Sequence, residues 1–236
     1  MKISVVIPIY NERENIPGLY RELLRVLSIL KQDYEIIFVD DGSTDSSVDI
    51  LKELKATNPN IKILSLDRNY GLSTAISAGI EKAQGDIIIT IDGDLQNDPG
   101  DIPKLLGYIH QGYDVVSGWR KNRKDPLVKK FSSKIANFIR NKLTSEDIKD
   151  SACMLKAYKK EYIKKIKFYR GWHRFLPTLL KMEGAKVIEI EVNHRPRKYG
   201  KSKYGIRNRF IKPLIDALVI SWLKMNTINY KIKEEI

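Results

Sequence analysis

A single cysteine, Cys153, stands among 236 residues, so no intrachain disulfide can form, and a reducing compartment is in keeping with that. No apolar run reaches membrane-spanning length. The opening Met1-Lys-Ile-Ser-Val-Val-Ile-Pro-Ile-Tyr-Asn11 turns polar too early for a secretory signal, and the expectation is a soluble or peripheral protein. No Gly-x-Gly-x-x-Gly follows the first apolar run and no Walker loop occurs, which argues against a dinucleotide oxidoreductase or a P-loop NTPase. Acid is scarce in one half only. Residues 1–119 carry 11 Lys and Arg against 18 Asp and Glu, a net −7, whereas residues 120–236 carry 31 against 11, a net +20. Part of that excess is general lysine richness. The asymmetry still suggests an anionic partner for the second half: nucleic acid, a phospholipid surface or a phosphorylated substrate.

What is present centres on Gly85-Asp-Ile-Ile-Ile-Thr-Ile-Asp-Gly-Asp-Leu-Gln-Asn-Asp-Pro99. Ile87 to Ile91 is β-branched throughout, as suits a strand covered on both faces. It runs straight into Asp92, Asp94 and Gln96, with Gly93 between the acids. Alternate residues of an extended segment point the same way, so these side chains converge beyond the strand's C-terminal end, where open α/β sheets bind ligands. Oxygen ligands beside a phosphate suit Mg2+ or Mn2+. A surface turn made polar for solubility is the bland alternative; the apolar run before it favours a site.

Along the chain, Ile3–Ile7 reads as a buried strand closed by Pro8, and residues 14–31 carry helical periodicity at Ile16, Leu19, Leu23, Leu27 and Leu30. Tyr34–Val39 is a strand ending in Asp40-Asp41-Gly42-Ser43-Thr44-Asp45, where Thr44 or Asp45 can cap a helix running to Thr57. A third strand spans Ile61–Leu66, and a helix of small residues spans Ser73–Ala83. A helix over 100–111 and strands over Tyr113–Ser117, Asp150–Tyr158 and Val187–Val192 follow, with a helix over Trp172–Lys181 between the last two. Strands alternating with helices predict an α/β fold with a mainly parallel sheet. Asp41 is a candidate to hydrogen-bond a nucleoside's base or ribose, and Tyr10 to lie against a base. Asp40 and Asp45 are read as turn-making and capping residues.

Val5-Val6-Ile7-Pro8-x-Tyr10-Asn11-Glu12, Val39-Asp40-Asp41-Gly42-Ser43-x-Asp45, Asn69-x-Gly71 and Asp92-Gly93-Asp94-Leu95-Gln96 together resemble family 2 glycosyltransferases of the GT-A fold. The nearest likeness is to dolichol-phosphate mannose synthases and bacterial polyprenyl-phosphate glycosyltransferases, over nearly the whole chain. The resemblance implies a nucleotide-sugar donor, GDP-mannose or a UDP-sugar, with its nucleoside near Pro8, Tyr10, Glu12, Val39 and Asp41. It implies a diphosphate near Asp92 and Gly93, and Mg2+ or Mn2+ on Asp94 and Gln96. It also implies that Arg120, ending Tyr113-Asp-Val-Val-Ser-Gly-Trp-Arg120, is a phosphate-binding residue, catalytic with Asp92 and Asp94.

The second half carries the acceptor. From Arg120 to Leu143 there are nine Lys and Arg and one acid, Asp125; Phe131, Ile135, Phe138, Ile139 and Leu143 mark an amphipathic helix suited to a lipid interface or to packing on the domain. Within the resemblance, Lys129 stands where relatives carry arginine and Ser133 where they carry a phosphate-contacting serine. Residues 193–212 hold eight Lys and Arg and no acid, and the resemblance makes Arg195, Arg197, Ser202 and Lys203 further acceptor-phosphate residues. His194 is read as a bystander of that loop, and His110 and His173 as structural. A helix over Ile206–Tyr230, kinked near Pro213, is expected to lie on a membrane. The expected organisation is one GT-A unit over 1–205, its donor half 1–119 and acceptor half 120–205, with an amphipathic extension over 206–236.

The implied reaction is inverting transfer of the sugar to a polyprenyl or dolichyl phosphate, by an enzyme held peripherally on the cytoplasmic membrane face. A phosphate acceptor needs no general base, since its second pKa is about 6. Transfer to a saccharide hydroxyl is the alternative and needs a base, for which Asp125 is the one acid within those basic stretches. A non-catalytic binder of membrane or nucleic acid is the remote alternative. The Asp92, Asp94 and Gln96 set speaks against it, and nucleic acid is not expected as a partner.

Overall fold

The computed structural model describes residues 1–121, 141–142, 148–200, 211–227 and 234, with residues 211–214 described by their backbone. The chain forms seven strands, most of them rich in β-branched residues: β1 (Ile3–Ile9), β2 (Tyr34–Asp40), β3 (Ile61–Ser65), β4 (Ile87–Thr90), β5 (Val115–Trp119), β6 (Lys156–Lys159) and β7 (Val187–Glu191). They make one sheet in the order β3-β2-β1-β4-β6-β5-β7. β1, β2, β3 and β4 are mutually parallel, β5 is parallel to β7, and β6 runs antiparallel between β4 and β5. The sheet therefore joins the acidic and basic halves of the chain. Every residue of β1 is buried, as a central parallel strand covered on both faces requires.

The helices are α1 (Ile16–Leu30), α2 (Ser47–Thr57), α3 (Leu72–Lys82), α4 (Ile102–His110), α5 (Lys160–Ile163), α6 (Leu176–Met182) and α7 (Ile211–Met225). Alternation along the strands splits the core in two. One face packs β1 and β4 isoleucines on Leu19, Leu23 and Leu27 of α1 and Leu105 of α4. The other packs Val6, Val39 and Ile88 on Ala75, Ile76 and Ile80 of α3 and Leu176 and Leu180 of α6. The small residues of α3 have a steric purpose: a Cβ on Gly79 would lie 2.3 Å from Val6 Cγ1 and 3.0 Å from Val39 Cγ2.

Several boundaries differ from those read off the sequence, for local reasons. β1 runs through Pro8 to Ile9. The Val6 carbonyl accepts from Ile91 on the β4 side, and Pro8, two residues on, faces the same way past the last paired residue of β4, so its missing N–H breaks no ladder bond. The segment before β6 is a turn in place of a strand, because the Cys153 amide folds back onto the Asp150 carbonyl (3.2 Å). Asp45 does serve the start of α2, its Oδ1 accepting from the Ser47 amide at 2.9 Å, whereas Thr44 turns its amide to Asn11. The helix expected over 100–111 opens with a 3-10 turn, Pro99–Asp101, and that over 172–181 with Trp172–Phe175.

α7 lies within the expected C-terminal helix. It seats Ala217 and Ile220 against Phe175 and Leu179, while Ile215, Leu218, Val219, Trp222 and Met225 on its opposite side are exposed. Among the described residues no helix is long and apolar enough to cross a membrane. The amphipathic stretch expected over 129–143 lies outside the described residues apart from 141–142. Replacing Gly79 by Ala forces a methyl into the α3–sheet contact, and we expect a loss of about 1–3 kcal/mol in urea unfolding. A variant as stable as the parent would show that α3 can stand off the sheet.

Candidate functional site

The chain moves outward from β1 to β2 and β3, then returns to place β4 on the other side of β1. The gap between β1 and β4 is thus a topological switch point, and their parallel C-terminal ends open a crevice there. Three loops meet at this edge: residues 10–12 after β1, 41–45 after β2 and 92–96 after β4. Asn11 ties the first two together. Its backbone is left-handed (φ 52°), its amide donates to Ser43 Oγ (2.9 Å), and its Oδ1 accepts from the Thr44 amide (2.8 Å). Glu12 is buried beside it, its Oε2 accepting from Asn15 Nδ2 (2.6 Å). Pro8 and Val39 are paired residues of β1 and β2 and form the floor under these loops, with Tyr10 half-buried above.

Asp40 is structural, its carboxylate accepting from the Ser43 amide and Ser65 Oγ, each at 3.3 Å. Asp41 accepts from the Tyr70 and Gly71 amides, both at 2.8 Å, so it ties the start of α3 to the crevice. Burial raises the Asp41 pKa despite those two amides. Each of its oxygens has a second lone pair, so it can still accept from a ligand.

After β4 the backbone turns sharply. Gly93 lies against β1, where a Cβ would stand 2.7 Å from Ile9 Cδ1 and 3.1 Å from the Pro8 carbonyl. Leu95 is left-handed (φ 60°), an uncommon state for an apolar residue and a form of stored strain. It is held by packing: its Cδ1 sits 3.3 Å from where a Cβ on Gly18 of α1 would be. The turn directs Asp92 and Asp94 into one cleft. Asp92 keeps some surface open to that cleft, yet its pKa is pushed up to about 7, first by burial and then by Asp94, against the opposing pull of Arg120, Lys156 and Arg197. Asp94 is 7% exposed; its Oδ1 accepts from the Gln96 amide (3.1 Å) and its Oδ2 pairs with the Arg197 guanidinium.

Residues 193–197 are strapped onto this acidic turn. Asn97 and His194 form a β-bridge, the Arg195 amide donates to the Gln96 carbonyl (2.9 Å), and Gln96 Nε2 donates to the Arg195 carbonyl (3.4 Å). The Arg195 guanidinium binds Glu22 (2.7 Å) and Asp98 (2.8 Å), and these raise its pKa against burial. Arg195 thus fastens the strap, and Arg197 reaches over it to Asp94, with Glu12 at 4.0 Å. Lys129, Ser133, Ser202 and Lys203 lie outside the described residues.

Sequence reasoning missed three partners. Asp150 grips Arg120 as a fork, accepting from Nε (2.7 Å) and Nη2 (2.9 Å), and also from the Arg120 amide (3.2 Å). The pair is nearly dry, at 9% and 3% exposure, and Asp150 raises the Arg120 pKa against burial. Lys156 is fully buried in β6, donating to the Ser151 carbonyl (3.4 Å), and burial lowers its pKa. Glu22, on α1, is the anchor of Arg195 and drew no notice in the sequence. One signal was available: Lys156 is a charge inside the apolar run Met154-Leu-Lys-Ala-Tyr158.

The donor types fit a hard divalent cation: the Asp94 carboxylate and the Gln96 side-chain oxygen are oxygen ligands two residues apart, and the Gln96 Nε2 is already engaged by the Arg195 carbonyl. No three His, Cys, Asp or Glu side chains among the described residues form a metal-binding group, so such a cation would draw further ligands from a bound phosphate or water. Breaking the dry Arg120–Asp150 pair leaves one buried charge alone. Arg120→Ala or Asp150→Ala should each cost about 3–5 kcal/mol in chemical unfolding, and the double substitution less than their sum. Additive losses would show that the pair contributes no coupling.

The Glycosyl transferase family 2 model matches residues 4–167. An undecaprenyl-phosphate 4-deoxy-4-formamido-L-arabinose transferase of Photorhabdus laumondii is 45% identical over 219 residues, covering 92% of this chain and 67% of that protein. One of the same description from Proteus mirabilis is 43% identical over 205 residues, covering 86% of this chain and 63% of that one. The chain thus spans about two thirds of the length of the curated relatives it matches. Among solved structures, glucosyl-3-phosphoglycerate synthase from Mycobacterium tuberculosis with phosphoglyceric acid superposes with a TM-score of 0.69 at 18% identity, over 93% of this chain and 79% of that one. That likeness shares the fold. With the family model covering more than half of its residues, the chain belongs to glycosyl transferase family 2.

Proposed function

We propose that this protein is an inverting glycosyltransferase that moves a sugar from a nucleotide-sugar to a polyprenyl phosphate. The observation that carries the reading is the convergence, at one switch point, of an oxygen-rich acidic turn with Arg197 above it and the Arg120–Asp150 pair behind it. The relatives named for undecaprenyl phosphate support the acceptor class. The nucleoside would lie over Pro8 and Val39, between Tyr10, Glu12 and Asp41, and its diphosphate beside Asp92 and Gly93. Asp94 and Gln96 would hold Mg2+ or Mn2+, which when bound supplies charge neutralisation for the diphosphate leaving group.

The protein's own residues do the rest by position and charge. Gly93 lets the acidic turn lie directly against β1, beside the place proposed for the diphosphate. Arg120, locked by Asp150, presents its remaining N–H groups in a fixed plane. Arg197, with Arg195 as its anchor and with Lys129, Ser133, Ser202 and Lys203 from the basic segments, would receive the acceptor phosphate. That phosphate is ionised at neutral pH, so no side chain need remove a proton from it. We place the enzyme peripherally on the cytoplasmic membrane face, a reducing compartment in keeping with the buried free thiol of Cys153. The exposed stripe Ile215, Leu218, Val219, Trp222 and Met225 on α7 would meet the lipid, with Lys224 in the helix's last turn.

One transfer assay tests the chemistry. With a panel of UDP- and GDP-sugars that includes the 4-deoxy-4-formamido-L-arabinose donor, undecaprenyl phosphate should be glycosylated and free undecaprenol should not. Excess chelator or Asp94→Asn should abolish transfer, and Arg197→Ala should cost about 2–4 kcal/mol in kcat/KM. Equal use of the free alcohol, or full activity in chelator, contradicts the reading. A sedimentation assay tests the surface: vesicles rich in anionic lipid should bind the protein at low salt, less so at high salt, and Trp222→Ser should weaken what remains. No binding at low salt rejects the interfacial role.

A further inference from the structure

The contact between Arg197 and Asp94 joins the two halves of the proposed site, since Asp94 belongs to the donor side and Arg197 to the acceptor side. It is not an accident of a long side chain in solvent. The strap that carries Arg197 is fixed to the acidic turn by the Asn97–His194 bridge, the Arg195–Gln96 backbone hydrogen bond and the Arg195 ion pairs to Glu22 and Asp98. Asp94 is 7% exposed, so its negative charge needs a partner inside the protein or from a ligand. A guanidinium and a divalent cation meet that need in the same place, and held against one carboxylate their positive charges repel each other.

We propose that Arg197 is an internal occupant of the cation site, displaced from Asp94 when the metal and donor enter and thereby released to bind the acceptor phosphate. This rests on the cation placement proposed above and adds an order to it. Donor entry with its metal comes first. Until then the arginine that grips the acceptor is engaged with Asp94, with Glu12 nearby at 4.0 Å. Held there, Arg197 also offsets part of the negative charge that Asp92 and Asp94 bring together while no donor is bound.

The test measures Mn2+ binding to the full chain without nucleotide, from the free-ion signal in electron paramagnetic resonance. Arg197→Gln should bind Mn2+ about tenfold more tightly than the parent, the gain when a state competent one time in ten becomes the only one. Arg25→Gln, on the exposed side of α1, should leave the affinity unchanged. A second reading comes from trypsin with products resolved by mass spectrometry. Mg2+ should speed cleavage after Arg197 relative to cleavage after Lys198, because only Arg197 is released by the cation. An unchanged or weaker affinity in Arg197→Gln, an equal shift in Arg25→Gln, or a cleavage ratio indifferent to Mg2+ overturns the displacement. Asp94→Asn separates the two layers: if it binds Mn2+ as the parent does, the cation placement itself fails, and this inference with it.

Discussion

Two carboxylates two residues apart at the end of a buried strand repel each other, and the cleft is built around that repulsion. Burial first and Asp94 second push the Asp92 pKa up to about 7. Three cations answer from three directions. Lys156 stands inside the sheet on β6, Arg120 stands at the end of β5 with Asp150 fixing its plane, and Arg197 arrives on the strap after β7. All three come from the basic half of the chain. Some of the +20 carried by residues 120–236 is therefore not a solvated surface but internal neutralisation of acids contributed by the other half. The seven-stranded sheet makes this possible, because β6 inserts antiparallel beside β4 and brings its neighbours to the acidic edge.

The donor side was legible in the sequence because its signals are local. A β-branched run ending in acids marks both a strand and its edge, and alternation of strands with helices predicts a mainly parallel sheet, whereas the switch point itself comes from the strand order. The acceptor side was legible only as charge. Arg120 was visible as a strand-end arginine, but its partner Asp150 lies across a turn that reads as strand, and such pairing depends on tertiary packing. Arg195 and Arg197 looked alike in the sequence. The fold separates them into a fastener held by Glu22 and Asp98 and an arm that reaches Asp94. No spacing rule distinguishes those roles, since each depends on a carboxylate far away in the chain.

α7 shows the same division at the surface. Its inner face is explained by Phe175 and Leu179, whereas its outer face carries five large apolar residues that no contact among the described residues accounts for. Amphipathic periodicity alone fits either packing or an interface; here the inner face packs on the domain and the outer face stays exposed.

Gly18 is the least conspicuous part of the acidic turn. It sits in the first turn of α1, where glycine costs a helix roughly 1 kcal/mol relative to alanine. Its missing side chain leaves the space that Leu95 fills, and Leu95 holds the left-handed bend that aims Asp94 and Gln96. A methyl at position 18 would press on Leu95 without touching any polar group. Helix composition at that point is therefore constrained by the geometry of the acidic turn, and a survey of tolerated substitutions should find position 18 behaving as a site residue, although it carries no chemistry of its own.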